Sequence, residues 1–253
     1  MSTYASPLGD SAIMLRRNFK HTLRNPTAVF NAVLFPVVIM LMFVYLLGDA
    51  FSVGVKYVDY ATPGMIVLAI CYGLGSTATA VNSDMTKGII NRFKVMDVSR
   101  GAVLTGQVIA SLLNNVIAVA AIVGTAFALG FRPSASLLDW LGVAGMVVLV
   151  GFSIGWFTVA LGLSAKSVET AGLATVPLIM LPFLSTAIVP ADKMGPGAKQ
   201  FAEYQPFTPI IETFRGLLTG SVHAGDAIAA IAWCVGIGVV GYLWAVATFK
   251  KRA

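Results

Sequence analysis

Charge is scarce in this chain of 253 residues: Lys, Arg, Asp and Glu make up 11% of it, where a soluble domain carries about 25%. Hydrophobic residues make up 57%, and a chain of this length has too little interior to hide them all from water. A water-soluble globule is excluded, and so is a disordered chain. Cysteine is nearly absent, with Cys71 and Cys234 both inside apolar runs. Neither a disulfide framework nor a zinc spacing is available, so both read as small buried apolar residues. His21 and His223 have no partner at metal-ligand spacing. No G-x-x-x-x-G-K-[ST] run occurs, so this chain has no loop to cradle nucleotide phosphates.

What the chain does have is long uncharged stretches. A bilayer core about 30 Å thick needs around 20 apolar residues of helix. Six runs of that order lie at 28–48, 61–81, 104–130, 137–163, 170–190 and 226–248, with Asp139 and Asp226 only at their ends. The expected fold is an all-α membrane protein with six transmembrane helices, forming a single domain over 1–253. The first run exceeds a signal-peptide core and follows a long polar lead, which disfavours a cleaved signal.

The basic residues set the orientation. Twelve lie on one side: Arg16, Arg17, Lys20, Arg24, Lys87, Arg92, Lys94, Arg100, Lys166, Lys250, Lys251 and Arg252. Lys56, Arg132, Lys193, Lys199 and Arg215 make five on the other. The positive-inside rule then puts both termini in the cytoplasm. The net charge of +6 is thereby explained by membrane orientation, without nucleic acid.

Three segments outside the runs carry pattern. At 11–25, Leu15, Phe19 and Leu23 recur every fourth residue among basic neighbours, which predicts an amphipathic helix in the cytoplasmic interface, broken by Pro26. It serves equally as an elbow beside a partner or as an anchor. At 84–100, Met85, Ile89, Phe93 and Met96 share one helical side. That face must be buried against lipid, the bundle or a partner's groove, and periodicity does not separate these. At 195–220, on the outside, Ile210, Ile211, Phe214, Leu217 and Leu218 predict an amphipathic, re-entrant helix after Pro209. Glu212 and Arg215 are expected to pair on its wet side, for a few tenths of a kcal/mol. With Phe201, Tyr204 and Phe207 they would form a lid over the outer end of the bundle.

Intramembrane charges usually mark proton relays, and the interiors of the six runs have none. A proton-driven antiporter is disfavoured, while sodium held by neutral oxygens stays open. Gly151-Phe-Ser153-Ile-Gly155 matches a nucleophile elbow in letters only, since Ser153 is mid-span with no histidine near it. The two glycines read instead as a small-residue packing face. Asn31, Ser76, Thr77, Thr79, Asn114 and Asn115 line a polar path or hydrogen-bond between helices. The methionines and phenylalanines of the first run (Met40, Met42, Phe30, Phe35, Phe43) suit an adaptable apolar surface or plain lipid contact.

Arg24-Asn25-Pro26, Tyr60-Ala-Thr-Pro63-Gly64, Lys87-Gly88, Val98-Ser99-Arg100 and the stretch Glu212 to Leu218 occur in an order and spacing that resembles an ABC-2 type permease, the transmembrane subunit of bacterial ATP-binding-cassette exporters, of the daunorubicin-resistance type. The resemblance implies an exporter of a lipophilic or amphipathic solute in the cytoplasmic membrane, with two permease subunits facing each other. It implies no cofactor in this chain, ATP and Mg being bound by partner ATPase subunits. It makes 84–100 a coupling helix, with Asp84, Met85, Lys87, Gly88, Ile89, Arg92, Phe93 and Arg100 meeting the ATPase. Asp84 and Asp97 depart from the Glu and Pro usual there. A path near spans one, two and five would involve Asn31, Phe35, Ser76, Thr79, Met180 and Phe183. A stand-alone carrier or channel, or a glycan or lipid exporter, is the alternative. A membrane-embedded enzyme lacks any catalytic constellation.

Overall fold

The computed structural model describes residues 26–48, 55–86 and 100–252. The expected interfacial helix at 11–25, and residues 87–99 of the expected coupling helix, lie outside the described residues. Within them every regular element is helical: α1 (Pro26–Leu47), α2 (Tyr57–Tyr72), α3 (Leu74–Thr86), α4 (Arg100–Ala128), α5 (Leu137–Ser164), α6 (Val168–Ala174), α7 (Val176–Met180), α8 (Ala198–Tyr204), α9 (Phe207–Thr219) and α10 (Ala224–Arg252). Short 3-10 turns follow at Leu181–Leu184 and Ala191–Lys193. Among the described residues, four stretches are long and apolar enough to cross a bilayer: Tyr57–Thr86, Leu104–Ala128, Leu137–Ser164 and Ala224–Lys251. Val33–Leu46 and Val168–Leu184 are shorter apolar stretches.

Two of the expected spans differ from the sequence reading. The run at 170–190 is not one helix but α6, α7 and a 3-10 turn. Pro177 and Pro182 remove backbone donors there, and the Thr175 hydroxyl donates back to the Gly172 carbonyl at 2.7 Å. The second span is longer than expected and is interrupted at Gly73. Around that point Gly73, Gly75, Ser76 and Thr77 favour helix weakly. The hydroxyls of Ser76 and Thr77 both donate to the Gly73 carbonyl, at 2.8 and 3.3 Å, competing with the backbone for it.

Local chemistry fixes several ends. Ser136 caps α5 in a reciprocal box: its backbone N–H donates to Asp139 at 2.8 Å and its hydroxyl accepts from the Asp139 N–H at 3.3 Å. Gly220, at φ +69°, ends α9 in the left-handed conformation that glycine adopts without strain.

Packing divides the bundle by depth. The larger apolar cluster gathers Met65, Ile66 and Ile70 of α2, Ile122 of α4, Val150 of α5 and Phe207, Ile210, Ile211 and Phe214 of α9. A smaller one joins Val81 of α3, Leu104 and Val108 of α4, Trp156, Val159 and Leu163 of α5, and Ala245 and Phe249 of α10. Polar or small residues lie near the level where the two clusters meet. Thr77 donates to the Ser111 hydroxyl at 3.1 Å, Asn115 and Ser153 are buried, and α10 meets α5 through Gly238 and Gly241. A Cβ on Gly241 would come within 2.5 Å of the Phe157 backbone nitrogen, so glycine lets these two helices approach backbone to backbone. Gly151 and Gly155 likewise face Leu112 and Val108 of α4, in keeping with a packing face.

Candidate functional site

The end of the bundle that is outer in the expected orientation carries a charged pair on α9. Arg215 of α9 pairs with Glu212 one turn earlier, with side-chain exposures of 18% and 29%. The same guanidinium donates to the carbonyls of Thr186 (3.0 Å) and Tyr60 (3.3 Å) and lies 4.1 Å from the centre of the Tyr60 ring. The Thr186 hydroxyl donates to Glu212 at 2.7 Å, and Tyr60 Oη donates to the Thr186 carbonyl at 2.8 Å. This corrects the wet-side expectation. The pair turns into the bundle because the broken 185–188 stretch offers carbonyls without helical partners, which a guanidinium fork can satisfy. Close packing reinforces the joint: a Cβ on Gly64 would come within 2.6 Å of Ala187. The other proposed lid residues separate. Phe201 and Tyr204 are exposed, whereas Phe207 is buried in the outer core.

The expected path residues surround α2 and α3, against which α1, α6 and α7 pack. Phe35 is exposed and stacks on Tyr72, with ring centroids 4.3 Å apart. Ser76 and Met180 are also exposed. Thr79 is half-buried against Gly172 of α6, and Phe183 packs against the outer core. Asn31 lies in α1, with its side chain outside the described residues. The Ser76 and Thr79 hydroxyls donate to carbonyls of their own helix, to Gly73 from Ser76 and to Gly75 and Ser76 from Thr79. What they offer a neighbour is their acceptor lone pairs on an otherwise aromatic and aliphatic surface. Asn115 is buried beside Gly73, and its Nδ2 has no hydrogen-bond partner.

At the inner end, Asp84 is half-buried and accepts from Gln107 Nε2 of α4 at 2.8 Å. Met85 packs on the inner apolar cluster. Arg100 opens α4, its side chain lying outside the described residues with Lys87, Gly88, Ile89, Arg92 and Phe93. Asn82 and Gln107, given no role by the sequence reading, prove to be the cross-helix contacts here. Asn82 Nδ2 donates to the carbonyls of Gly162 (3.0 Å) and Ala165 (2.8 Å). The available signal was an amide at the inner margin of an apolar run.

Comparison with known proteins gives a consistent picture. Residues 11–219 match the family model described as ABC-2 type transporter. The chain is 30% identical over 224 residues to a daunorubicin resistance ABC transporter permease protein of Streptomyces coeruleorubidus, an alignment covering 88% of this chain and 77% of that one. It is 26% identical over 221 residues to a probable doxorubicin resistance ABC transporter permease protein of Mycobacterium tuberculosis, covering 86% of this chain and 79% of the relative.

Proposed function

From the premise that the chain belongs to the ABC-2 type transporter family, in which it is a multi-pass membrane subunit of an exporter, we propose that it moves a lipophilic or amphipathic solute out of the cytoplasm or inner leaflet of a bacterium. Two permease subunits face each other in the cytoplasmic membrane with both termini inside. Separate ATPase subunits bind ATP and Mg and push on residues 84–100, whose apolar side rests in a groove of the ATPase. The path runs beside Phe35, Tyr72, Ser76 and Met180. The observation that carries this reading is the family match over residues 11–219, which takes in five of the six apolar runs, in a chain with no phosphate-binding loop of its own.

The names of the relatives make daunorubicin the first solute to try. Phe93→Ala and Lys87→Glu are expected to abolish ATP-driven daunorubicin efflux while the chain still folds and inserts. The readout is efflux from cells or vesicles beside the amount of folded permease. Normal efflux by both variants would reject the placement of this segment against the ATPase.

A further inference from the structure

The inner end of the Tyr57–Thr86 span is tied to α5 by one side chain. Asn82 is completely buried, and its Nδ2 donates to both Gly162 and Ala165. Gly162 lies in the last turn of α5, and Ala165 is the extended residue that caps its end. The backbones also touch: a Cβ on Gly162 would come within 2.6 Å of the Ala78 carbonyl oxygen. Two residues beyond Asn82, Asp84 is held by Gln107 of α4. The inner cluster of α3, α4, α5 and α10 side chains fills the space behind these contacts.

Asn82 Oδ1, in contrast, is buried without a hydrogen-bond partner. A leucine, with the same branched outline, would avoid that desolvation cost. The amide is thus best explained by what its N–H groups hold. Just outward, the interruption at Gly73 separates α3 from α2, which has different neighbours. α2 packs mainly on α1, α4 and α9, whereas α3 packs on α5 and α6.

Resting on the transport reading above, we propose that Asn82 is the positioning residue that makes the inner ends of α3 and α5 move as one piece. A push on residues 87–99 is then delivered to α5 and through it to α10, and is not lost as sliding between α3 and α5. Gly73 lets α3 follow α5 while α2 stays with the outer network.

The test uses the full permease with its ATPase subunits in lipid vesicles. Nitroxide labels are placed on Thr86→Cys and Lys166→Cys, both exposed sites; Cys71 and Cys234 are buried and do not label. Between the nucleotide-free and ATP-trapped states, the Thr86 to Lys166 distance is expected to hold within about 2 Å, the scale of small helix shifts. The Lys166 to Lys166 distance between the two permease copies should change by more than that. Asn82→Leu should keep ATP hydrolysis but lower daunorubicin moved per ATP about tenfold, within the range of ordinary coupling energies. It should also broaden the Thr86 to Lys166 distribution. A packing role alone would leave the transport-to-hydrolysis ratio unchanged, and that result overturns the proposal. So does a Thr86 to Lys166 distance that changes in the wild-type complex, a measurement that stands even if Asn82→Leu fails to fold. Wild-type vesicles that hydrolyse ATP without moving daunorubicin or any of a panel of lipophilic dyes would reject the transport reading first, and the clamp with it.

Discussion

At its outer end the Tyr57–Thr86 span is tied by charge, and at its inner end by a neutral amide and touching backbones. Outside, Arg215 gathers Glu212, the carbonyls of Thr186 and Tyr60, and the Tyr60 ring into one network. Inside, Asn82 reaches two carbonyls of α5, and Gln107 holds Asp84. A charged network in a partly dry site resists change, because separating its members leaves a charge unpaired. Neutral hydrogen bonds between helices in a membrane are individually weak, about 0.6 kcal/mol on average, and the one to the Asp84 carboxylate is somewhat stronger. The outer end is therefore built to stay closed around α2, while the inner end ties α3 to α5 through the amide and to α4 through Asp84.

Substitutions at the two ends should separate these roles, beginning with the outer one. Arg215→Ala leaves Glu212 without its cation and should cost about 2–3 kcal/mol of stability, below the 3–5 of a fully buried pair because both side chains keep some exposure. Thermal unfolding in detergent reads this. The double change Glu212→Gln with Arg215→Met should lose less than Arg215→Ala alone, and an equal or larger loss would mean that charge is not what holds the outer end. At the inner end, Gly162→Ala drives a methyl against the Ala78 carbonyl and should cost about 2 kcal/mol by overpacking. An unchanged melting temperature would contradict the close approach of α3 and α5. Gln107→Leu removes a hydrogen bond to a carboxylate and should cost about 1.5 kcal/mol, checked by the same melt. Between the ends, Thr77→Val deletes the bond to Ser111 and should cost about 0.6 kcal/mol. A loss several times larger would make the middle layer, rather than the ends, the main tie.

Composition and run length carried the helical class, because an uncharged stretch near 20 residues has few stable alternatives in a bilayer. The 3.6-residue rhythm of Ile210, Ile211, Phe214 and Leu218 marked a buried face, and α9 buries all four side chains. The outer network was not legible, since spacing along α9 brings Glu212 beside Arg215 but cannot say that Tyr60 and Thr186 wait opposite them. Asn82 was opaque for the same reason, its acceptors lying 80 and 83 residues away. The break in the 170–190 run was written in Pro177 and Pro182, but an apolar length near that of a span masked it. At Gly73 the small and hydroxylated residues were visible, while the close approach of Asn115 of α4, 3.0 Å from where a Cβ would sit, was not.

The most direct measurement is solute accumulation in sealed vesicles containing the permease, with either an active ATPase subunit or one unable to hydrolyse ATP. The account predicts ATP-dependent accumulation of daunorubicin or a lipophilic dye with the active subunit and none with the inactive one. Concentrative uptake by vesicles that hold the permease alone would contradict it.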